Sequence, residues 1–155
     1  MPHLRIEVPE EWLRDDFKAT TGFDAKKLLD HLVQVVSSIR MEKPGAPEGS
    51  GETVPFINLS NLKHAIVPVY YGHVAGDSSK RFLHVTMSAG NDTPGRTAAV
   101  RRRVAETLGN EVDQFAGELK GLASVTVHVK DIDRDRGYST TAERKKKREM
   151  QPVGA

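Results

Sequence analysis

The chain switches between two hydrophobic periods, and each switch marks an element. Leu4, Ile6 and Val8 interleave with His3, Arg5 and Glu7, a period of two that predicts a half-buried strand. Pro9 to Gly22 follows as a charged connection holding Trp12 and Phe17, with one short helical turn. From Asp24 the period lengthens. Leu28, Leu29, Leu32, Val35, Val36 and Ile39 recur at helical spacing, Lys26, Asp30 and Gln34 fall outside the stripe, and Asp24 is placed to cap the helix. Met41 to Thr53, with Pro44, Gly45, Pro47, Gly49 and Gly51, reads as a flexible loop, long for a compact domain.

The same order then repeats. Phe56 to Ala75 is β-like, with Ile66, Val67, Val69, Tyr70 and Tyr71 close together, and Pro68 favours an edge strand or a break because it has no N–H to donate. Gly76, Asp77 and Ser78 make a turn, and Arg81 to Met87 alternates again. Thr93 is the expected cap of a second helix with Pro94 in its first position. Val100, Val104, Leu108, Val112, Phe115 and Leu119 line one face of it, and Val125, Val127 and Val129 alternate in a last strand. Two strand–helix–strand halves predict an α/β domain (α+β in its mixed pairing): one four-stranded mixed sheet with both helices on one face. The chain has no helix left for the other face. Burying that face requires a partner, so an oligomer is expected.

Composition narrows the class. At 155 residues the chain suits one domain, taken here as residues 1–133 followed by a basic tail from 134 to 155. No apolar run approaches a membrane span, and the acidic residues from Glu7 to Asp16 do not fit a signal peptide, so a cytoplasmic protein is expected. With no cysteine, disulfides and thiolate chemistry are excluded. The net charge of +2 hides an asymmetry. Ala142 to Ala155 carries five basic and two acidic side chains, which leaves −1 for residues 1–141. A near-neutral body argues against a nucleic-acid-binding domain, and the Lys/Arg-rich tail, poor in apolar residues, reads as flexible.

Candidate chemistry starts at Pro2. A Met-Pro start favours removal of Met1, which leaves a secondary amine on a rigid ring. An apolar pocket with cations nearby would hold that amine neutral, fit to act as a general base. No pair of histidines has metal-ligand spacing on one helix, and no glycine-rich phosphate loop is present, so no cofactor is expected. His84 reads as a structural histidine, His3 as a sheet-interface residue, and Tyr70, Tyr71 and Phe56 as core or interface. Arg101, Arg102 and Arg103 form a basic run, with Arg101 about one turn beyond Arg96, and Tyr138 lies past the last strand.

The start PHLRIEV, the strand FLHVTM, the Gly95-Arg96 turn before a helix, and the final strand leading into Asp131-Ile132-Asp133 together resemble the tautomerase superfamily. Within it the likeness is to the 5-carboxymethyl-2-hydroxymuconate isomerases, and it runs with gaps from Pro2 to about Asp133. The resemblance implies a homotrimer whose sheets wrap into a barrel, with a site near each subunit interface. It implies that Pro2 moves a proton between carbons of a small unsaturated keto (enol) carboxylic acid. Arg96 would then bind a substrate carboxylate and stabilise the dienolate, helped by its place in a helix's first turn. A second arginine of the pattern falls on Leu62, leaving Lys63 or His64 to supply a cation nearby, and Arg101 to extend the anion site. That departure keeps open a non-catalytic trimer using its basic tail for interactions, and a protonated Pro2 would serve dehalogenation or decarboxylation instead.

Overall fold

A computed structural model describes residues 1–70, 77, 79–90 and 93–132. Its strands are β1 (His3–Pro9), β2 (Arg40–Glu42), β3 (Thr53–Pro55), β4 (Lys63–Val69), β5 (Arg81–Gly90) and β6 (Leu122–Ile132). Its helices are α1 (Asp15–Thr21), α2 (Ala25–Ser38) and α3 (Ala98–Ala116). The main sheet runs β4-β1-β5-β6, with β1 parallel to β4, β1 antiparallel to β5, and β5 parallel to β6. This is the mixed four-stranded sheet of two βαβ halves, and Pro68 sits in the edge strand as its missing N–H requires.

Leu4, Ile6, Val8, Leu83, Val85 and Met87 face α2 and α3 and are at most 1% exposed. They close one core with Leu28, Leu32, Val36, Val104, Leu108 and Val112. Asp24 caps α2 as its position predicts, its carboxylate accepting from the N–H groups of Lys26 and Lys27. Between the helices, His31 Nε2 meets Glu111 Oε2 at 2.5 Å, and the His31 ring lies 5.1 Å from that of Phe115. Phe115 therefore packs sideways on α2 and remains 39% exposed.

Four expectations change. The connection after β1 is more ordered than one turn: a 3-10 turn (Glu10–Leu13) leads into α1, and Trp12 stacks on Phe17 at 5.2 Å and meets Phe23 edge-on. Three aromatic rings supply the local core that a charge-rich stretch conceals. The segment from Met41 to Thr53 remains a loop over residues 43–52, but it is the loop of a hairpin, because β2 pairs antiparallel with β3 and Lys43 N–H bonds Glu52 O. Thr97, not Thr93, caps the second long helix by accepting from Val100 N–H. Gly95 lies at φ +87°, a left-handed geometry that ends any helix begun at Pro94.

The fourth change concerns the face away from the helices. Its register places His3, Arg5 and Glu7 of β1 beside Ser88, Thr86 and His84 of β5, and those beside Lys130, His128 and Thr126 of β6. Such a face is content in water, so hydrophobic burial does not call for a partner there. The better physical case lies at the β4 edge, where Ile66, Val67 and Val69 are only half-buried and Tyr70 is 81% exposed. Among the described residues, no helix is long and apolar enough to cross a membrane. Tyr71, Gly76, Ser78, Asn91, Asp133, Tyr138 and the tail fall outside the described residues.

Candidate active site

Strand polarity gathers the candidate residues at one end of the sheet. β1 and β4 start there, and β5 and β6 end there, because His3 pairs with both Lys63 and Ser88, and Gly90 pairs with Ile132. Pro2 immediately precedes β1 and is half-buried, and its carbonyl accepts the Lys63 N–H at 3.0 Å. The amino-terminal stretch is thus tied to the sheet one residue before the first strand, where a terminus ordinarily frays. Lys63 is exposed beside it and makes no ion pair among the described residues. His64 pairs with Leu4 and is exposed at the edge of the sheet.

Leu62 is 8% exposed and belongs to the core. An arginine at this position would have to bring its charge out of that core.

Arg96 reaches the same end of the sheet from the turn before α3. It precedes the N-cap rather than lying in the first helical turn, and its own N–H bonds Thr93 O at 3.4 Å. Its guanidinium acts as a fork on the backbone. Nε and Nη2 donate to Phe56 O at 3.2 and 2.9 Å, and Nη1 donates to Gly90 O at 2.9 Å. The charge also sits 5.3 Å from the centre of the Phe56 ring, within cation–π range. Phe56 is fully buried, as a core residue should be. Gly95 lets the turn come close to the hairpin, since a Cβ there would lie 3.3 Å from Glu42 O and from Pro44 Cγ.

Arg101, one turn into α3, continues the chain of contacts. Its Nη1 donates to Arg96 O and pairs with Asp131 Oδ1 at 3.2 Å. Arg103 instead donates to Arg40 O, which ties α3 to the hairpin. The run of three arginines is thus not simply a solvated face. The structure brings Pro2, Lys63, His64, Arg96 and Arg101 to one end of the fold, with the two arginines engaged by protein oxygens.

Electrostatics at this end run positive. Burial first, and then the amino-terminal charge, Lys63 and Arg5, hold the His3 imidazole below its usual value.

Solved structures with this fold are known. A 5-carboxymethyl-2-hydroxymuconate delta-isomerase superimposes with a TM-score of 0.61 at 17% identity, covering 99% of this chain and 96% of its own. The fold is that of the tautomerases. A 5-carboxymethyl-2-hydroxymuconate isomerase from Deinococcus radiodurans R1 matches with a TM-score of 0.57 at 16% identity, over 90% of this chain and 88% of its own. A fused 4-OT that forms a symmetric trimer gives 0.54 at 21% identity, over 90% and 92%. The sequence itself matches no protein-family model and no curated protein. At these identities the tautomerase likeness is one of fold. The residues that no sequence pattern placed at the site are Phe56 and Gly90, which meet Arg96 through their carbonyls; backbone groups carry no signal in residue type.

Proposed function

We propose that this chain is a proline-based tautomerase, an isomerase moving a proton within a small unsaturated keto (enol) carboxylic acid. The observation that carries the reading is the anchoring of Pro2 through Lys63 N–H at the cationic end of a tautomerase fold. With Met1 removed, the Pro2 nitrogen is the base. It takes a proton from the enol oxygen or a carbon acid and returns it at another carbon of the conjugated chain. Lys63, exposed and next in space, receives a substrate carboxylate, with His64 at its side. Arg96 and Arg101 add positive charge where the dienolate develops, and Arg96 reaches a carboxylate to the extent that substrate competes with the Phe56 and Gly90 carbonyls. 5-Carboxymethyl-2-hydroxymuconate is the leading substrate, by likeness to the two isomerases. Assembly as a cytoplasmic homotrimer, closed through the β4 edge, belongs to the same reading.

The test is enol-to-keto conversion of 2-hydroxymuconate and phenylenolpyruvate by tag-free protein, after mass spectrometry shows that Met1 is gone. Turnover should fall by about 10²–10⁴ in Pro2→Ala, the usual worth of a positioned base. Retained turnover in that variant would sink the general-base role. One observation favours a second reading. Arg96 and Arg101 are occupied and Leu62 is buried, which fits a non-catalytic trimer on the same scaffold. That reading expects no turnover of either acid with Pro2 free.

A further inference from the structure

The face of the sheet away from the helices holds a nook of about 120 Å³ lined by His3, Arg5, Thr86 and Ser88. Pro2 is not part of it. Two lining residues are basic and two carry hydroxyls, so all four can donate hydrogen bonds. Thr86 is the one buried polar side chain among the described residues, 6% exposed at the floor of an otherwise open face.

Charge around the nook is one-sided. By register, Lys63 flanks His3 on β4, Lys130 flanks Ser88 on β6, and His128 flanks Thr86. Glu7 is the acidic residue of this patch, and it leans toward Arg5 with 3.8 Å between charged atoms, too far for a hydrogen bond. Cations crowded on one face repel one another, and a bound anion turns each repulsion into attraction.

We propose that this nook is a binding site for a phosphate-type oxyanion, held by Arg5 and His3 and by the hydroxyls of Thr86 and Ser88. Four converging donors suit a tetrahedral dianion with oxygens in several directions better than a planar carboxylate with two. The inference stands apart from the Pro2 chemistry and survives its failure. The surroundings of His3 agree with it, since after burial the Lys63 and Arg5 cations work against imidazolium.

The test is a histidine NMR titration of the full chain with inorganic phosphate, and in parallel with acetate at matched ionic strength. The His3 resonance is assigned by its loss in His3→Asn. Phosphate should shift it saturably and raise its titration midpoint toward the ordinary imidazole value, while acetate binds at least about tenfold more weakly. Arg5→Gln, at an exposed strand position, and the isosteric Thr86→Val should each weaken phosphate by about tenfold. The assignment is overturned by an unsaturable or absent shift at His3. It is equally overturned by acetate binding as tightly as phosphate, or by both variants binding like the parent.

Discussion

The two faces of the sheet are made by the same strands and obey different rules. Toward the helices, Leu4, Ile6, Leu83, Val85 and Met87 pack at 1% exposure or less. One residue along, His3, Arg5, His84 and Thr86 turn the other way, where none of the described helices covers them. A period of two therefore writes two messages in one strand. The apolar half specifies the fold and tolerates little change. The polar half is free to carry charge, and in this chain it carries mostly positive charge at the end where Pro2 begins.

The sharpest way to break that comparison is to truncate neighbours on opposite faces. Ile6→Ala removes a side chain that is 1% exposed and should cost about 2–5 kcal/mol in urea unfolding. Arg5→Ala, its neighbour on the other face, should stay within about 0.5 kcal/mol. Equal costs would mean that the open face is packed as tightly as the helical one, as a close-fitting partner would make it.

Arg96 tests the junction between stability and chemistry. Its fork joins Phe56, which follows the hairpin, to Gly90 at the end of β5. Arg96→Lys keeps the charge and loses the fork, so it should destabilise by about 1–3 kcal/mol rather than behave as a conservative change. Thermal unfolding reads that cost, and steady-state kinetics on the same variant separates the two roles. A raised KM with unchanged stability would make Arg96 a carboxylate ligand; a lowered stability with little change in KM would make it a clamp.

Much of this architecture was legible because side-chain period reports burial directly. Leu4, Ile6 and Val8 place β1, the stripe from Leu28 to Val36 places α2, and the repeat of that order places the second half. What escaped was held by contacts distant in sequence. Trp12, Phe17 and Phe23 order a stretch whose charges read as a linker, because ring contacts between residues five or six apart leave no periodic trace. The hairpin around Met41 to Thr53 rests on two three-residue strands, too short for alternation to register. At the site, Pro2, Lys63, His64, Arg96 and Arg101 are drawn together by strand direction, which residue types do not encode. The occupation of the Arg96 fork by two carbonyls lies beyond any reading of residue identity.

The smallest effects compare the two helix starts, one placed correctly from sequence and one shifted by four residues. Thr97→Ala should lower stability by about 1 kcal/mol, whereas Thr93→Ala should leave it within a few tenths, since Thr97 Oγ1 is the acceptor for Val100 N–H. Asp24→Ala should cost about as much as Thr97→Ala, but with a dependence on pH that Thr97 lacks. The hydrogen bond from Lys18, then the N–H of Lys27, hold the Asp24 carboxyl below its ordinary value against a modest opposing effect of burial. A folded pKa depressed in this way gives stability that is fully present above the unfolded value and is lost as pH falls through the folded one. Urea unfolding at neutral and at acidic pH should therefore show the Asp24→Ala deficit shrinking in acid while the Thr97→Ala deficit stays constant. A constant deficit for both would mean that Asp24 caps α2 as well protonated as ionised, and that Lys18 adds nothing to the start of the helix.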